Sequence, residues 1–153
     1  MNNNTIHKDK FIEYDKMFSH IIKIREINNY GTIIVNVANF FPKKEKKRYD
    51  KIIEYLVYIV INALKISKKN NLKMMNVLVN LNGCSMNNYS LKFFRHINDI
   101  LEKGFPDTLN NCSFYSNSKI FAIFWAMMSK YIDPVTKQKV SLIKEKTVLP
   151  IFL

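Results

Sequence analysis

Short segments rich in β-branched residues alternate along this chain with longer segments that carry an apolar stripe. This alternation constrains the fold more than any other feature of the sequence. The strand-like segments begin at Thr32, Met75, Cys112 and Lys139, and they end near residues 38, 81, 116 and 143. Because strands and helices take turns, we expect βαβ units on a mainly parallel sheet flanked by helices, which is an α/β fold.

Four helix-like segments lie before and between these strands, over residues 8–25, 43–69, 89–103 and 119–132. Gly104 follows the third segment and is expected to cap it. The fourth segment is unusual, because Ile120–Met128 is apolar around nearly its whole circumference, whereas a surface helix is apolar on one side. Two interpretations stay open: the helix is buried between the sheet and another element, or one side of it lines a ligand cavity.

Length and composition fit one domain with an unusual charge. The 153 residues suit a single domain, and 48% hydrophobic residues supply a substantial core. The formal net charge of +12 favours anionic partners such as acidic lipid headgroups. The free use of Lys, Asn and Ile, with little Gly, Ala or Arg, is equally typical of an AT-rich genome. The charge is therefore open to a functional or a compositional interpretation.

The residues needed for common catalytic sites are missing from the sequence. The three glycines, Gly31, Gly83 and Gly104, cannot build the loops that hold nucleotide phosphates. There is no Gly-x-Ser-x-Gly motif, and the three histidines fall in separate helical segments. Cys84 and Cys112 belong to no Cys-x-x-Cys pair, so neither a zinc site nor a disulfide framework is expected. We expect a protein without enzymatic activity in a reducing, intracellular compartment.

A series of short motifs between Asn76 and Val140 occurs in an order that is specific, although each motif alone is not. In chain order they are a strand followed by Gly83-Cys84-Ser85, a helix followed by Phe105-Pro106-Asp107-Thr108-Leu109, the segment Tyr115-Ser116-Asn117-Ser118-Lys119-Ile120-Phe121, the single Trp125, and Lys130-Tyr131-Ile132-Asp133-Pro134-Val135-Thr136-Lys137-Gln138-Lys139-Val140. This series resembles the CRAL-TRIO lipid-binding family of phosphatidylinositol- and retinoid-transfer proteins.

The resemblance implies a CRAL-TRIO-like lipid-binding domain over residues 31–153. Residues 1–30 are expected to form an N-terminal helix and connector within a single domain overall. Only one helix precedes Gly31, and the chain stops soon after the last strand. The closest match expected is therefore the minimal modules of the family, which lack its N-terminal helical bundle and have a truncated lid.

The resemblance also implies a function, which is binding or transfer of a phosphoinositide or other phospholipid at membrane surfaces. The family's headgroup positions correspond to Asp107, Thr136 and Lys139 in this sequence. The apolar cavity is expected to be lined by Ile120, Ile123, Phe124, Met127 and Met128. No cofactor other than a bound lipid is expected, and no metal.

An alternative function is a protein-interaction scaffold with a filled, ligand-free core that binds a small GTPase or a second copy of the chain. Nucleic-acid binding is disfavoured, because the lysines cluster at helix ends without aromatic residues between them. The expected partners are a hydrophobic ligand and an anionic membrane surface, with a protein partner or homodimer for the scaffold. The expected location is cytoplasmic and peripheral to membranes.

Overall fold

The computed structural model describes residues 3–116, 119–144 and 149–152. Asn117 and Ser118, part of the motif before the apolar helix, lie outside the described residues. The helices are α1 (Asn3–Phe18), α2 (Pro42–Glu45), α3 (Tyr49–Lys69), α4 (Leu91–Gly104), α5 (Ile120–Met128) and α6 (Pro134–Gln138). The strands are β1 (Ile22–Ile27), β2 (Tyr30–Asn36), β3 (Met75–Asn80), β4 (Leu109–Tyr115) and β5 (Val140–Ile143).

The strands form one sheet in the order β1-β2-β3-β4-β5. β1 runs antiparallel to β2, and every other neighbouring pair is parallel. The expected mainly parallel sheet flanked by helices is confirmed. Each of the four predicted strands is present within a few residues of its expected bounds.

The expected helix over residues 8–25 was wrong in its second half. α1 ends at Phe18, and the following residues form β1, whose first four positions alternate apolar and cationic side chains as a strand requires. Asn28 and Asn29 join β1 to β2, with φ angles of 51° and 70°. A two-residue hairpin turn of type I′ needs positive φ at both positions, and asparagine tolerates it better than most residues. Residues before and after position 30 are thereby joined in one sheet.

All the helical connections cross the same face of the sheet. α3 connects β2 to β3, α4 connects β3 to β4, and α5 with α6 connects β4 to β5. The strand order advances in one direction and such crossovers are right-handed, so the connections share a face. Buried side chains of α3 pack there against Ile33 and Met75, and Phe124 and Met128 of α5 pack against Val79. This helix-covered face contains the hydrophobic core.

The long helix expected over residues 43–69 is divided in the structure. α2 and a 3-10 turn (Lys46–Arg48) precede α3, which then runs unbroken for 21 residues. Pro42 occupies the first turn of α2, where its missing N–H has no helical partner to lose. The buried residues of α3 recur mostly at three- and four-residue spacings: Ile52, Tyr55, Leu56, Ile59, Val60, Ala63 and Ser67.

Gly104 does not act as the expected left-handed cap of α4. It is the last residue of the helix, and among the described glycines only Gly83 has a positive φ. The helix is closed by the Phe105 N–H, which donates to the Leu101 carbonyl at 2.9 Å. The left-handed residue in this connection is Asp107, with φ of 57°. The chain therefore turns three residues later than the position of the glycine suggested.

The opposite face of the sheet carries a row of amides near the carboxyl ends of the strands. The Asn80 side-chain amide donates to Asn36 Oδ1 at 3.1 Å, and the Asn36 amide donates to the Phe152 carbonyl at 3.0 Å. Phe152 belongs to a 3-10 turn (Pro150–Phe152), and its ring packs edge-on against Tyr115, with centroids 5.1 Å apart. The described C-terminal residues thus cover the carboxyl edge of this face.

Candidate ligand-binding cavity

A cavity of about 530 Å³ lies between the helix-covered face of the sheet and helices α3, α4 and α5. Its floor includes Ile33 and Val35 of β2, Val77 and Val79 of β3, and Phe114 of β4. Ile33 is the direct partner of Val77, and Val79 is the partner of both Val35 and Phe114. Alternate residues of a strand share one face, so these side chains form a continuous apolar floor.

The roof of the cavity is the inner side of α4. Phe93, Phe94, Ile97 and Leu101 line the cavity from this helix at one- to four-residue spacings. Although these residues face the sheet, α4 contains no fully buried residue. The apolar stripe of α4 therefore packs only in part against the core, and the space left beneath it belongs to the cavity. Sequence patterning indicated the stripe as core-facing and did not indicate that it would line a cavity.

α5 contributes two of the five apolar residues expected from the sequence. Phe124 and Met128 line the cavity and are 2% and 6% exposed. Ile120, Ile123 and Met127 do not line it, and Ile123 is 47% exposed. A helix turns about 100° per residue, so Phe124 and Met128, four residues apart, present the same side to the cavity, whereas Ile123 points away from it. The result differs from the expectation because a uniformly apolar helix gives no sequence signal for which side faces inward.

One buried polar atom of the described cavity lining has no hydrogen-bond partner. Among the described residues, the Tyr89 hydroxyl is the buried side-chain oxygen or nitrogen that makes no hydrogen bond. The Tyr89 ring lines the cavity and stacks on Phe124, with centroids 4.9 Å apart. Burial raises the pKa of this phenol, so it stays protonated and offers a donor to a ligand atom.

The structure brings the three expected headgroup residues together at one edge of the same cavity. Asp107, Thr136 and Lys139 all line it, beside the amino ends of β4 and β5. The Cys112 N–H donates to the Lys139 carbonyl at 2.9 Å, which joins the start of β5 to β4. Asp107 is exposed, while Thr136 and Lys139 are half-buried. This edge, together with the exposed Glu102 and Asp133 that also line the cavity, is called the mouth.

Thr136 is held by a helix cap that the sequence interpretation missed. The expected turn at Asp133-Pro134 begins α6, and Asp133 is its N-cap. Asp133 Oδ1 accepts from the Thr136 N–H at 2.9 Å, and Asp133 Oδ2 accepts from the Thr136 hydroxyl at 2.5 Å. These bonds lower the pKa of Asp133, so it remains ionised. Because the Thr136 hydroxyl donates its hydrogen bond to Asp133, it can offer a ligand only its acceptor lone pairs.

The mouth is acidic in a chain that is strongly basic. Among the described residues that line the cavity, Glu102, Asp107 and Asp133 are acidic and Lys139 alone is basic. Asn98 donates from its side-chain amide to Glu102 Oε1 at 3.1 Å and to the Tyr131 carbonyl at 3.1 Å, which ties α4 to the segment after α5. One ammonium and three carboxylates can bind one phosphate together with several hydrogen-bond donors.

The described residues provide little for catalysis. Burial raises the pKa of both the Cys84 and Cys112 thiols to about 12, which leaves almost no thiolate near neutral pH. Within residues 3–116, 119–144 and 149–152, no cluster of three or more His, Cys, Asp or Glu is placed to hold a metal ion. Over the same described ranges, no helix has the length and hydropathy to cross a bilayer.

The family model for the CRAL/TRIO domain matches residues 15–152. This chain belongs to the CRAL/TRIO domain family. The family assignment drawn from the ordered motifs is therefore confirmed, and family members bind hydrophobic lipid ligands. The match begins upstream of β1, in the region where the motifs gave no signal.

Two relatives show how much of larger proteins this chain represents. A CRAL-TRIO domain-containing protein of Schizosaccharomyces pombe is 26% identical over 117 residues, which is 73% of this chain and 33% of that protein. The crystal structure of Sfh5 superposes with a TM-score of 0.66 at 16% identity and covers 83% of this chain and 48% of the other. This chain spans about a third of the first relative and about half of the second. The likeness to Sfh5 supports the fold alone.

Proposed function

We propose that this domain binds one phospholipid, with an acyl chain in the cavity beneath α4 and the headgroup at the mouth. The observation that carries the proposal is the cavity itself, about 530 Å³ between an apolar floor and an apolar roof. Ligand sites commonly enclose roughly 300–1,000 Å³. Each acyl methylene removed from water contributes about 0.8 kcal/mol. A scaffold with a core filled by its own side chains would leave no such space.

The charges of the mouth favour one kind of headgroup. Lys139 supplies an ammonium for a single phosphate, and Asp107 and Thr136 supply acceptors for headgroup hydroxyls. Phosphatidylinositol with an unphosphorylated ring meets these requirements. Each further phosphate on the ring would add negative charge beside Glu102 and Asp133. The proposed ligand is therefore phosphatidylinositol, in preference to its multiply phosphorylated forms.

The proposed setting is the surface of an anionic membrane. The net charge of +12 supports attraction to acidic lipids, and salt weakens such attraction because the Debye length falls to about 3 Å at 1 M. The domain would take its ligand from the bilayer and return it there. Transfer between vesicles is the activity that this arrangement predicts.

The test is lipid retention by the delipidated protein. The protein is incubated with phosphatidylcholine vesicles that contain either phosphatidylinositol or its bisphosphate, separated from them, and extracted for lipid analysis by mass spectrometry. We expect up to one phosphatidylinositol per chain and less of the bisphosphate. Failure to retain any lipid would contradict the proposal, and equal retention of both would contradict the headgroup preference.

A further inference from the structure

A dense group of lysines lies at the carboxyl end of the sheet, away from the mouth. Lys43, Lys44, Lys46 and Lys47, here called the basic segment, are all exposed and precede α3. None of the four has a salt-bridge partner among the described residues. β4 and β5 run parallel to β2, so the mouth at their amino ends lies at the other edge of the sheet.

The acidic residue inside the basic segment does not offset this charge. The Glu45 carboxylate accepts two hydrogen bonds from Arg48, from Nε and from a terminal nitrogen, each at 2.7 Å. This pair is internally neutral, which leaves four unpaired ammonium groups beside it. The positive end of the α3 dipole adds to them, and the exposed Asp50 of the first turn opposes them. The net local charge remains clearly positive.

Two large apolar side chains are exposed beside the basic segment. Phe41 is 38% exposed and Met86 is 49% exposed. The 3-10 turn that contains Met86 packs against α2. The Asn88 side-chain amide holds this turn in place by donating to the Phe40 carbonyl at 2.9 Å and to the Ala38 carbonyl at 3.2 Å. Apolar side chains next to unpaired lysines suit the boundary between lipid headgroups and acyl chains.

The structure assigns this surface as a docking site for an anionic lipid bilayer, with the basic segment on the headgroups and Phe41 and Met86 in the interfacial layer. A bilayer fits better than a nucleic acid. The Lys44 ammonium lies 4.9 Å from the centroid of the Phe41 ring, on a face that a nucleobase would need for stacking. Arg48, the one arginine there, has its guanidinium committed to Glu45. The inference is independent of the proposed cavity ligand, because none of the lysines of the basic segment lines the cavity, and neither does Phe41 or Met86.

A matched cluster of lysines provides the control. Lys65, Lys68, Lys69 and Lys73 are also exposed, at the opposite end of α3. The negative end of the α3 dipole lies beside them, and Asn70 brings Glu26 into the same region through a 2.6 Å hydrogen bond. The positive potential is therefore weaker there, although the same number of lysines is present. Ile61, which is 39% exposed on α3, is the control for Phe41.

The experiment is vesicle flotation with phosphatidylcholine vesicles that contain or lack phosphatidylserine. Replacing the four lysines of the basic segment by glutamine should weaken binding to phosphatidylserine vesicles on the order of a hundredfold at low salt. The control replacement of Lys65, Lys68, Lys69 and Lys73 should weaken it by much less. Phe41→Ser with Met86→Ser should lower binding on the order of tenfold, whereas Ile61→Ser should not.

Several outcomes would overturn the docking surface. If replacing either lysine cluster weakens vesicle binding equally, the binding depends on overall charge and not on this surface. Unchanged vesicle binding after the basic segment is replaced would contradict the docking site. Tight binding of single-stranded RNA without vesicle binding would contradict it too. Retention of phosphatidylinositol is measured on the same variants and should stay at the wild-type level. The two proposals thus fail in different ways: loss of vesicle binding concerns the docking surface, whereas a wild-type protein that retains no phosphatidylinositol would contradict the cavity proposal.

Discussion

Gly31 on β2 lies directly against the backbone of Ala63 on α3, and a Cβ at position 31 would stand 1.7 Å from the Ala63 carbonyl oxygen. The Gly31 N–H donates to the Ser67 hydroxyl at 2.8 Å, one turn further along the helix. Ala63 and Ser67 are both fully buried. Strand and helix are therefore in backbone contact, which requires no side chain at position 31 and small ones at 63 and 67.

Gly31→Ala should destabilise the fold severely, by about 4 kcal/mol or more, because the Ala63 backbone occupies the space that the new methyl group would need. Gly104→Ala is the control, since nothing lies within 4 Å of a Cβ there and alanine favours a helix by up to about 1 kcal/mol. Urea unfolding of both variants measures the difference. A Gly31→Ala variant as stable as the wild type would contradict the packing of β2 on α3.

The parts of the fold that the sequence predicted have strong periodic patterns. Runs of β-branched residues specified β2 and β3, and the stripe of α3 specified its buried side. β1 was missed because Phe18, Ile21 and Ile22 continue the helical spacing of α1 into the strand. The hairpin with β2 decides between the two structures, and it depends on Asn28 and Asn29 adopting positive φ. The local pattern of residues 19–25 fits a helix and a strand alike, and pairing with β2 selects the strand.

Phe124→Ala should lower the free energy of unfolding by about 2–4 kcal/mol, since it removes a buried ring that packs on Tyr89. Ile123→Ala, one position away, should change it by less than about 0.5 kcal/mol because the side chain is half exposed. Chemical denaturation of the two variants reports which side of α5 faces inward. Equal destabilisation would contradict the orientation of this helix.

The site was predictable from the sequence only where a motif carried it. The ordered motifs led to Asp107, Thr136 and Lys139, which line one cavity edge. Glu102 and Asp133 were not expected there, because their positions depend on where α4 ends and on the cap that begins α6. The role of α4 as the roof of the cavity was not expected either, because an amphipathic pattern shows which side of a helix faces the sheet but not the distance between them.

Lys139→Ala should weaken retention of phosphatidylinositol by roughly tenfold or more, as expected for loss of a charged hydrogen bond to phosphate. Lys137→Ala, two residues away in α6 and outside the cavity lining, is the matched control. Both variants should unfold at the wild-type temperature, since a surface lysine contributes little stability. If Lys139→Ala retains as much lipid as Lys137→Ala, the headgroup position is wrong.

Thiol labelling should depend steeply on pH. Burial raises the pKa of Cys84 and Cys112 to about 12, so a fraction of about 10⁻⁴ is thiolate at pH 8, against about a quarter for an ordinary cysteine. Labelling by iodoacetamide at pH 8 should be slow in the folded protein, accelerate as pH rises toward 12, and become fast in denaturant. Rapid labelling of Cys112 at pH 8 in the folded protein would contradict its burial.

Native mass spectrometry of the protein as purified shows whether the space beneath α4 holds a lipid. Val77 on the floor is replaced by tryptophan, whose larger side chain would take up part of the cavity, and circular dichroism verifies that the variant is folded. We expect the wild type to carry one additional mass, identified as a lipid by extraction, and Val77→Trp to carry less of it or none. A wild-type protein without any bound mass, which also takes up no lipid from vesicles, would contradict this expectation.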